Sequence, residues 1–203
     1  MQAWSRKEHA DAGFDHADLT GATLLACRFT RCTFVDAQLQ EATTSICAFA
    51  DCDFSGAAMN ASQHDGSAFL SCRFDGANLF AASFRGCKLT GSGFQGARLG
   101  GLRVAGGDWS YVDLRHQDLQ GRDLRGLRLV EADLYGCDLR RADLRGADLG
   151  HANLEQCLLA GADLRGARLD GVALGGLDLR GVRLDVSQAV ALARARGATV
   201  DWS

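Results

Sequence analysis

The sequence predicts an all-β solenoid, a chain that bends once every five residues and stacks its coils along one axis. Three observations carry that prediction. Stepping by five from Phe14 to Leu184 visits 35 positions, and 30 of them are Leu or Phe. A second column two residues earlier holds small residues, beginning Ala12, Ala17, Ala22, Cys27 and Cys32. Proline is absent from the 203 residues, although roughly ten are expected at average usage.

A period of five suits neither ordinary element. In an α-helix it rotates successive large residues by about 140°, which forms no stripe. In a straight strand an odd period sends alternate large residues to opposite faces. Bending the chain once per repeat puts every large residue inside a polygonal coil. Stacked coils then hydrogen-bond along the axis, which leaves no amide to spare for proline. The register does not slip between Phe14 and Leu184, so no loop is inserted there. Gly often follows the large residue by two places, as in ADLRG at 142–146 and 162–166.

Residues 1–11 precede the first clear repeat and are read as an N-terminal cap. Residues 12–185 form the solenoid. From Leu102 to Leu127 the small column fails, with Gln117 and Arg122 in it, and a distorted coil is expected there because neither side chain tolerates unpaired burial. The large column turns from mixed Phe and Leu to Leu alone in the same stretch. Thr44 and His64 break that column and are expected to stack as a polar pair. Residues 186–203 read as a short helix capped by Ser187 and stopped at Gly197, then a tail. Ala189, Val190, Leu192, Ala193, Val200 and Trp202 supply an apolar surface suited to a two-fold homodimer.

The eight cysteines all fall in the small column, which is one phase of a structural repeat and not ligand spacing. They read as small buried hydrophobes. No nucleophile–base or metal constellation stands out from the periodicity, so neither an enzyme nor a cofactor is expected. The formal net charge of −3 gives no basic stripe for direct nucleic-acid contact. No apolar run has the length of a signal peptide or a membrane span, and a cytoplasmic location is expected.

The motif A-(D/N)-L-x-G, repeated across 12–185, resembles the pentapeptide-repeat family. That resemblance implies a right-handed quadrilateral β-helix with four repeats per coil, so that residue i lies under residue i+20. About nine coils then make a rod roughly 42 Å long. The stretch SQHDGSAF at 62–69, the tail DVSQAVA at 185–191 and the loopless register are similar to the mycobacterial fluoroquinolone-resistance and Qnr-type branch. The resemblance implies a homodimer joined at the C-terminal ends, shaped like B-DNA, that engages DNA gyrase. Alternatives are a self-protection factor of an antibiotic producer and a scaffolding rod with another partner.

In that register one side carries Asp15, Asp36, Asp53, Asp75, Asp113, Asp133 and Glu155 against Arg73 and Arg115, a net of −5. The side of Leu24, Thr44 and His64 sums to +2. The acidic side is the candidate gyrase-facing stripe. Duplex DNA of the rod's length carries on the order of 25 charges, so any mimicry rests on shape plus one acidic face.

Overall fold

The computed structural model describes residues 2–201, and the chain forms a four-sided solenoid closed by one helix at its C-terminal end. Every corner is made the same way. The fifth residue of nearly every repeat lies at positive φ, including eighteen residues that are not glycine, among them His16, Ile46 and Gln156. This left-handed conformation turns the chain through one corner and explains why Gly recurs there.

Parallel pairing joins each residue to the one twenty positions on, as in Trp4↔Leu24, Thr44↔His64 and Phe49↔Phe69. On one face the short strands β1 (Ala3–Ser5), β3 (Thr23–Leu25), β5 (Thr43–Ser45), β7 (Gln63–Asp65), β9 (Ser83–Arg85) and β10 (Arg103–Ala105) form a sheet in that order. On the adjacent face β2 (Glu8–Ala10), β4 (Arg28–Thr30), β6 (Ala48–Ala50) and β8 (Ala68–Leu70) form a second. The other faces, and most of the rod beyond Gly106, are held by single parallel bridges. None of the strands begins with Asp or Asn. Where Asp stands first, its carboxylate often accepts the amide two residues on, as at Asp113, Asp123 and Asp143, and the rung becomes a turn.

The first coil begins earlier than the sequence indicates. Residues 3–10 are not a separate cap: they pair in register with 23–30, and Trp4 and His9 occupy the large column. The 1–11 boundary failed because Trp and His are not Leu or Phe, although their spacing is the same.

Two columns of phenylalanine fill the N-terminal half. Phe14, Phe34, Phe54, Phe74 and Phe94 stack with centroids 4.7–5.1 Å apart, and Phe29, Phe49 and Phe69 do likewise. The columns meet edge to face, a favourable arrangement for the ring quadrupoles. Trp109, stacked on Phe94, is the last aromatic side chain of the core, and leucine fills the rest.

The polar pair lies inside. His64 is fully enclosed, with Nδ1 2.8 Å from Thr44 Oγ1 and Nε2 3.0 Å from Ser62 Oγ. Thr44 donates on to Ser67, which accepts the Cys47 amide. Each ring nitrogen therefore has a hydroxyl partner, and burial outweighs the nearby Asp65 carboxylate, which favours the imidazolium. All eight cysteines are buried and free, and several thiols donate to carbonyls 23 residues back, as Cys137 does to Leu114. Burial pushes the Cys137 thiol up to about 12.

The irregular stretch expected over 102–127 is an opening in the backbone ladder, not a bulge of the core, since Leu102, Leu119 and Leu124 stay buried. One coil earlier the Leu79 and Ala81 amides donate to Arg98 and Gly100, and one coil later those of Leu119 and Gly121 donate to Asp138 and Arg140. Between them the corresponding bonds from Leu99, Gly101, Val104, Gly106, Asp118 and Asp123 are not made. Gln117 occupies a place meant for Ala or Cys and reaches inward, its Nε2 donating 2.7 Å to the Phe94 carbonyl. Gly107, at φ 109, lies so close to Cys87 that a Cβ would meet that carbonyl at 2.2 Å.

The helix α1 (Val186–Ala195) is capped by Asp185 and not by Ser187. Asp185 stands three residues before Gln188, and the two exchange side-chain and backbone bonds as a capping box. Ser187 only donates to the Asp185 carboxylate. Gln188 also donates to the Leu164 and Ala167 carbonyls and so pins the helix to the last coil. No helix is long and apolar enough to cross a membrane among the described residues.

Two outcomes test this description. Ile46 is 70% exposed and holds a left-handed corner at φ 54. Ile46→Gly should stabilise the rod by about 1 kcal/mol in chemical denaturation, since the strain goes and little burial is lost. Burial depresses His64 to about 3, below its unfolded value near 6.5. Its contribution is therefore complete above pH 6.5 and lost as pH falls towards 3. Between about pH 6 and 4.5 stability should fall by roughly 1.4 kcal/mol per unit, and His64→Phe should flatten that slope.

Candidate protein-binding surfaces

The acidic stripe is one face of the coil. Thr33, Asp53, Arg73, Gly93, Asp113, Asp133 and Asn153 form one unbroken run of parallel bridges. Asp15, Asp36, Asp75 and Glu155 flank it, two or three residues along from the bridge positions. The cross-section repeats every coil, so all seven acidic residues share this side.

Their electrostatics are less uniform than the sequence indicates. Arg115 bonds Asp113 through two nitrogens at 2.9 and 2.7 Å and comes within 3.5 Å of Asp133. That guanidinium holds the Asp113 carboxyl below its usual range. Arg73 lies 3.4 Å from Asp53 and 3.8 Å from Asp75. The middle of the stripe is thus locally neutralised, which leaves Glu155 near one end and Asp36, with only the His16 ring 4.0 Å away, near the other. Asp15 accepts the Val35 amide, and Asp36 lies over Gly56, where a Cβ would meet its oxygen at 2.1 Å. A shallow groove of about 440 Å³ runs along this face between Asp51 and Asp113, open where Gly91 and Gly93 lack side chains.

The pairing extends beyond the stripe and is the feature sequence reading missed. In every D-L-R triplet the arginine folds back on the aspartate, as in Asp123–Arg125, Asp143–Arg145 and Asp163–Arg165. The Arg165 guanidinium holds Asp163 down at about 2. The recurring two-residue spacing was the available signal. In a turn that places both side chains outward, Asp and Arg at i and i+2 are neighbours.

At the C-terminal end the structure divides the candidate dimer residues. Leu192 packs on the last coil beside Gln188, so it belongs to the molecule's own core. Ala189 is exposed, and Val190 and Ala193 are half-buried. With Val186, which is 73% exposed, they fall at i, i+3, i+4 and i+7 along α1. That spacing makes one apolar stripe on the outward side. Val200 is half-buried in the tail, and Trp202 lies outside the described residues. No group of His, Cys, Asp and Glu has metal-holding geometry among the described residues.

Comparison with known proteins agrees with this architecture. The family model for pentapeptide repeats matches in eight copies, over residues 10–43, 68–103, 110–146 and 147–185. The chain belongs to the pentapeptide-repeat family. No curated protein sequence matches it significantly. Among solved structures, a trypsin-treated form of QnrB1, a plasmid-mediated fluoroquinolone resistance protein, superposes with a TM-score of 0.87. It is 23% identical, and the match covers 98% of this chain and 100% of that one. Full-length QnrB1 gives a TM-score of 0.65 at 20% identity, over 97% and 100% of the two chains. At such identities the likeness shows a shared fold.

If the outward stripe of α1 is an interface between two copies, Val186→Lys with Val190→Lys should shift the protein to monomer in light scattering. The melting midpoint should move little, because neither side chain is part of the closed core.

Proposed function

We propose that this pentapeptide-repeat rod binds DNA gyrase in the cytoplasm, on the surface that accepts duplex DNA, and lowers the enzyme's sensitivity to quinolones. The observation that carries the reading is the end-to-end likeness to QnrB1, a fluoroquinolone resistance protein, over 98% of the chain. The rod is about 44 Å long, with a constant cross-section and one acidic face, which suits a duplex-shaped site. Two copies joined through α1 would double that length. Contact by shape, with charge concentrated towards the ends of the face, fits the ion pairing at Arg73 and Arg115.

Purified protein titrated into gyrase should inhibit supercoiling or reduce quinolone-stabilised cleavage in a concentration-dependent way. Unchanged supercoiling and cleavage across the series would favour a scaffolding rod with a different partner. Asp36→Asn, Asp75→Asn and Glu155→Gln together should weaken gyrase binding by about three- to tenfold and steepen no unfolding transition, since rim charges act mainly on association.

A further inference from the structure

The opened ladder in the middle of the rod has the features of a binding slot. Seven backbone amides that the repeat commits to a neighbouring coil, that of Gly96 and the six named above, have no partner there, and the carbonyls they should meet are equally free. A cleft of about 370 Å³ lies at one end of the opening, between Gly96–Gly100 and Arg115–Asp118. Among the described residues, only two buried side-chain nitrogens or oxygens lack a hydrogen-bond partner, Trp109 Nε1 and Arg122 Nε. Both belong to this one coil.

The opening is confined to two of the four faces. On the other two, Phe94 donates to Asp113, Asp113 to Ser92 and Trp109 to Arg128 at 2.8–3.0 Å, and Arg128 to Gly107 at 3.3 Å. The coils therefore stay joined along one side and part along the other, so the gap can widen by rotation without unfolding either half. Its cause is local. Gln117 and Arg122 fill positions where the coils above and below carry Ala97, Leu102, Cys137 and Ala142, and their bulk keeps the backbones apart.

The charge at the opening is specific too. Among the described residues, Arg98 and Arg103 on one side and Arg122 on the other have no carboxylate within ion-pair reach, whereas Arg115 and Arg125 beside them are tied to aspartates. The Asp118 carboxylate at the opening accepts the Gln120 amide and faces Arg140 one coil on. Both lips carry free backbone donors as well as free acceptors. A phosphate or other simple anion satisfies only donors, while an extended peptide satisfies both, as when a strand is added to an exposed sheet edge.

We propose that this opening receives an extended acidic segment of a partner protein, its backbone pairing with the free lips and its carboxylates meeting Arg98, Arg103 and Arg122. The inference is independent of the gyrase reading, since it concerns a different face and a different ligand chemistry. The ladder is interrupted a second time between Leu154–Gly161 and Ala173–Arg180, where the end of α1 packs on Leu174–Gly176 and Arg196 donates to the Leu177 carbonyl.

The test uses the intact protein and three probes, an acetylated and amidated decapeptide of alternating Glu and Thr, the same peptide with Lys for Glu, and inorganic tripolyphosphate. The Glu peptide should bind saturably and slow hydrogen exchange at the amides of Leu99, Gly101, Val104, Gly106, Asp118 and Asp123, which should exchange fast in the free protein. The Lys peptide should bind at least tenfold more weakly. Gln117→Ala with Arg122→Ala should let the ladder close, protect those amides without ligand and abolish binding. Arg98→Gln with Arg103→Gln, both at exposed sites, should leave the fold intact and weaken the Glu peptide at least fivefold. The proposal is overturned if the free protein already protects those amides, if the Glu peptide fails to bind, or if neither pair of substitutions weakens it. Equal slowing of exchange by tripolyphosphate would assign the opening to simple anions and overturn it as well.

Discussion

The ladder that ties each residue to the one twenty positions on governs the rest of this molecule. It can close only if the chain turns four identical corners per coil, and each corner requires a residue in the left-handed region of backbone space. Glycine meets that requirement at least cost. The eighteen other residues that take the conformation are held in it by pairing above and below. In exchange, every coil presents its large side chains to one axial core. Stability is then close to a sum of coil and neighbour terms, as expected of a quasi-one-dimensional fold.

The same ladder sorts chemistry by face. Side chains twenty apart meet, so a substitution in one coil is felt by its neighbours at the same position. Phenylalanines stack into columns, and His64 finds Thr44 above it. Asp65 meets Arg85 in the next coil at 2.7 Å. Where Asp and Arg instead recur within one repeat they neutralise each other locally, and the outer surface of the C-terminal half becomes a lattice of closed pairs. The acidic face is therefore a modulated surface whose strongest carboxylates lie towards its ends. An open ladder has the opposite effect, because it returns donors and acceptors to solvent, and here it does so beside unpaired arginines.

Much of the architecture was legible in the sequence because period-five spacing has one physical solution. The columns, the buried cysteines, the closing helix and the irregular central coil all follow from it. What escaped were features that depend on geometry within a repeat. Trp4 and His9 obey the spacing but not the residue type, so a column defined by Leu and Phe starts one coil too late. Asp185 was overlooked as the helix cap because it sits where a repeat position also falls. The Arg115–Asp113 pair was invisible to a count of charges by side. Whether Gln117 would bulge the core or open the ladder could not be read from its size alone. Its reach to the Phe94 carbonyl decides it, keeping the side chain inside and displacing the backbone.

The most direct test is to duplicate one complete coil, residues 130–149, in tandem and measure the thermal unfolding midpoint. Those residues carry only Ala and Cys in the small column and only Leu in the large one. If four repeats close one structural unit, the longer chain should unfold in a single transition at or above the parent midpoint. A lower midpoint, or loss of the cooperative transition, would contradict the twenty-residue ladder as the organising unit.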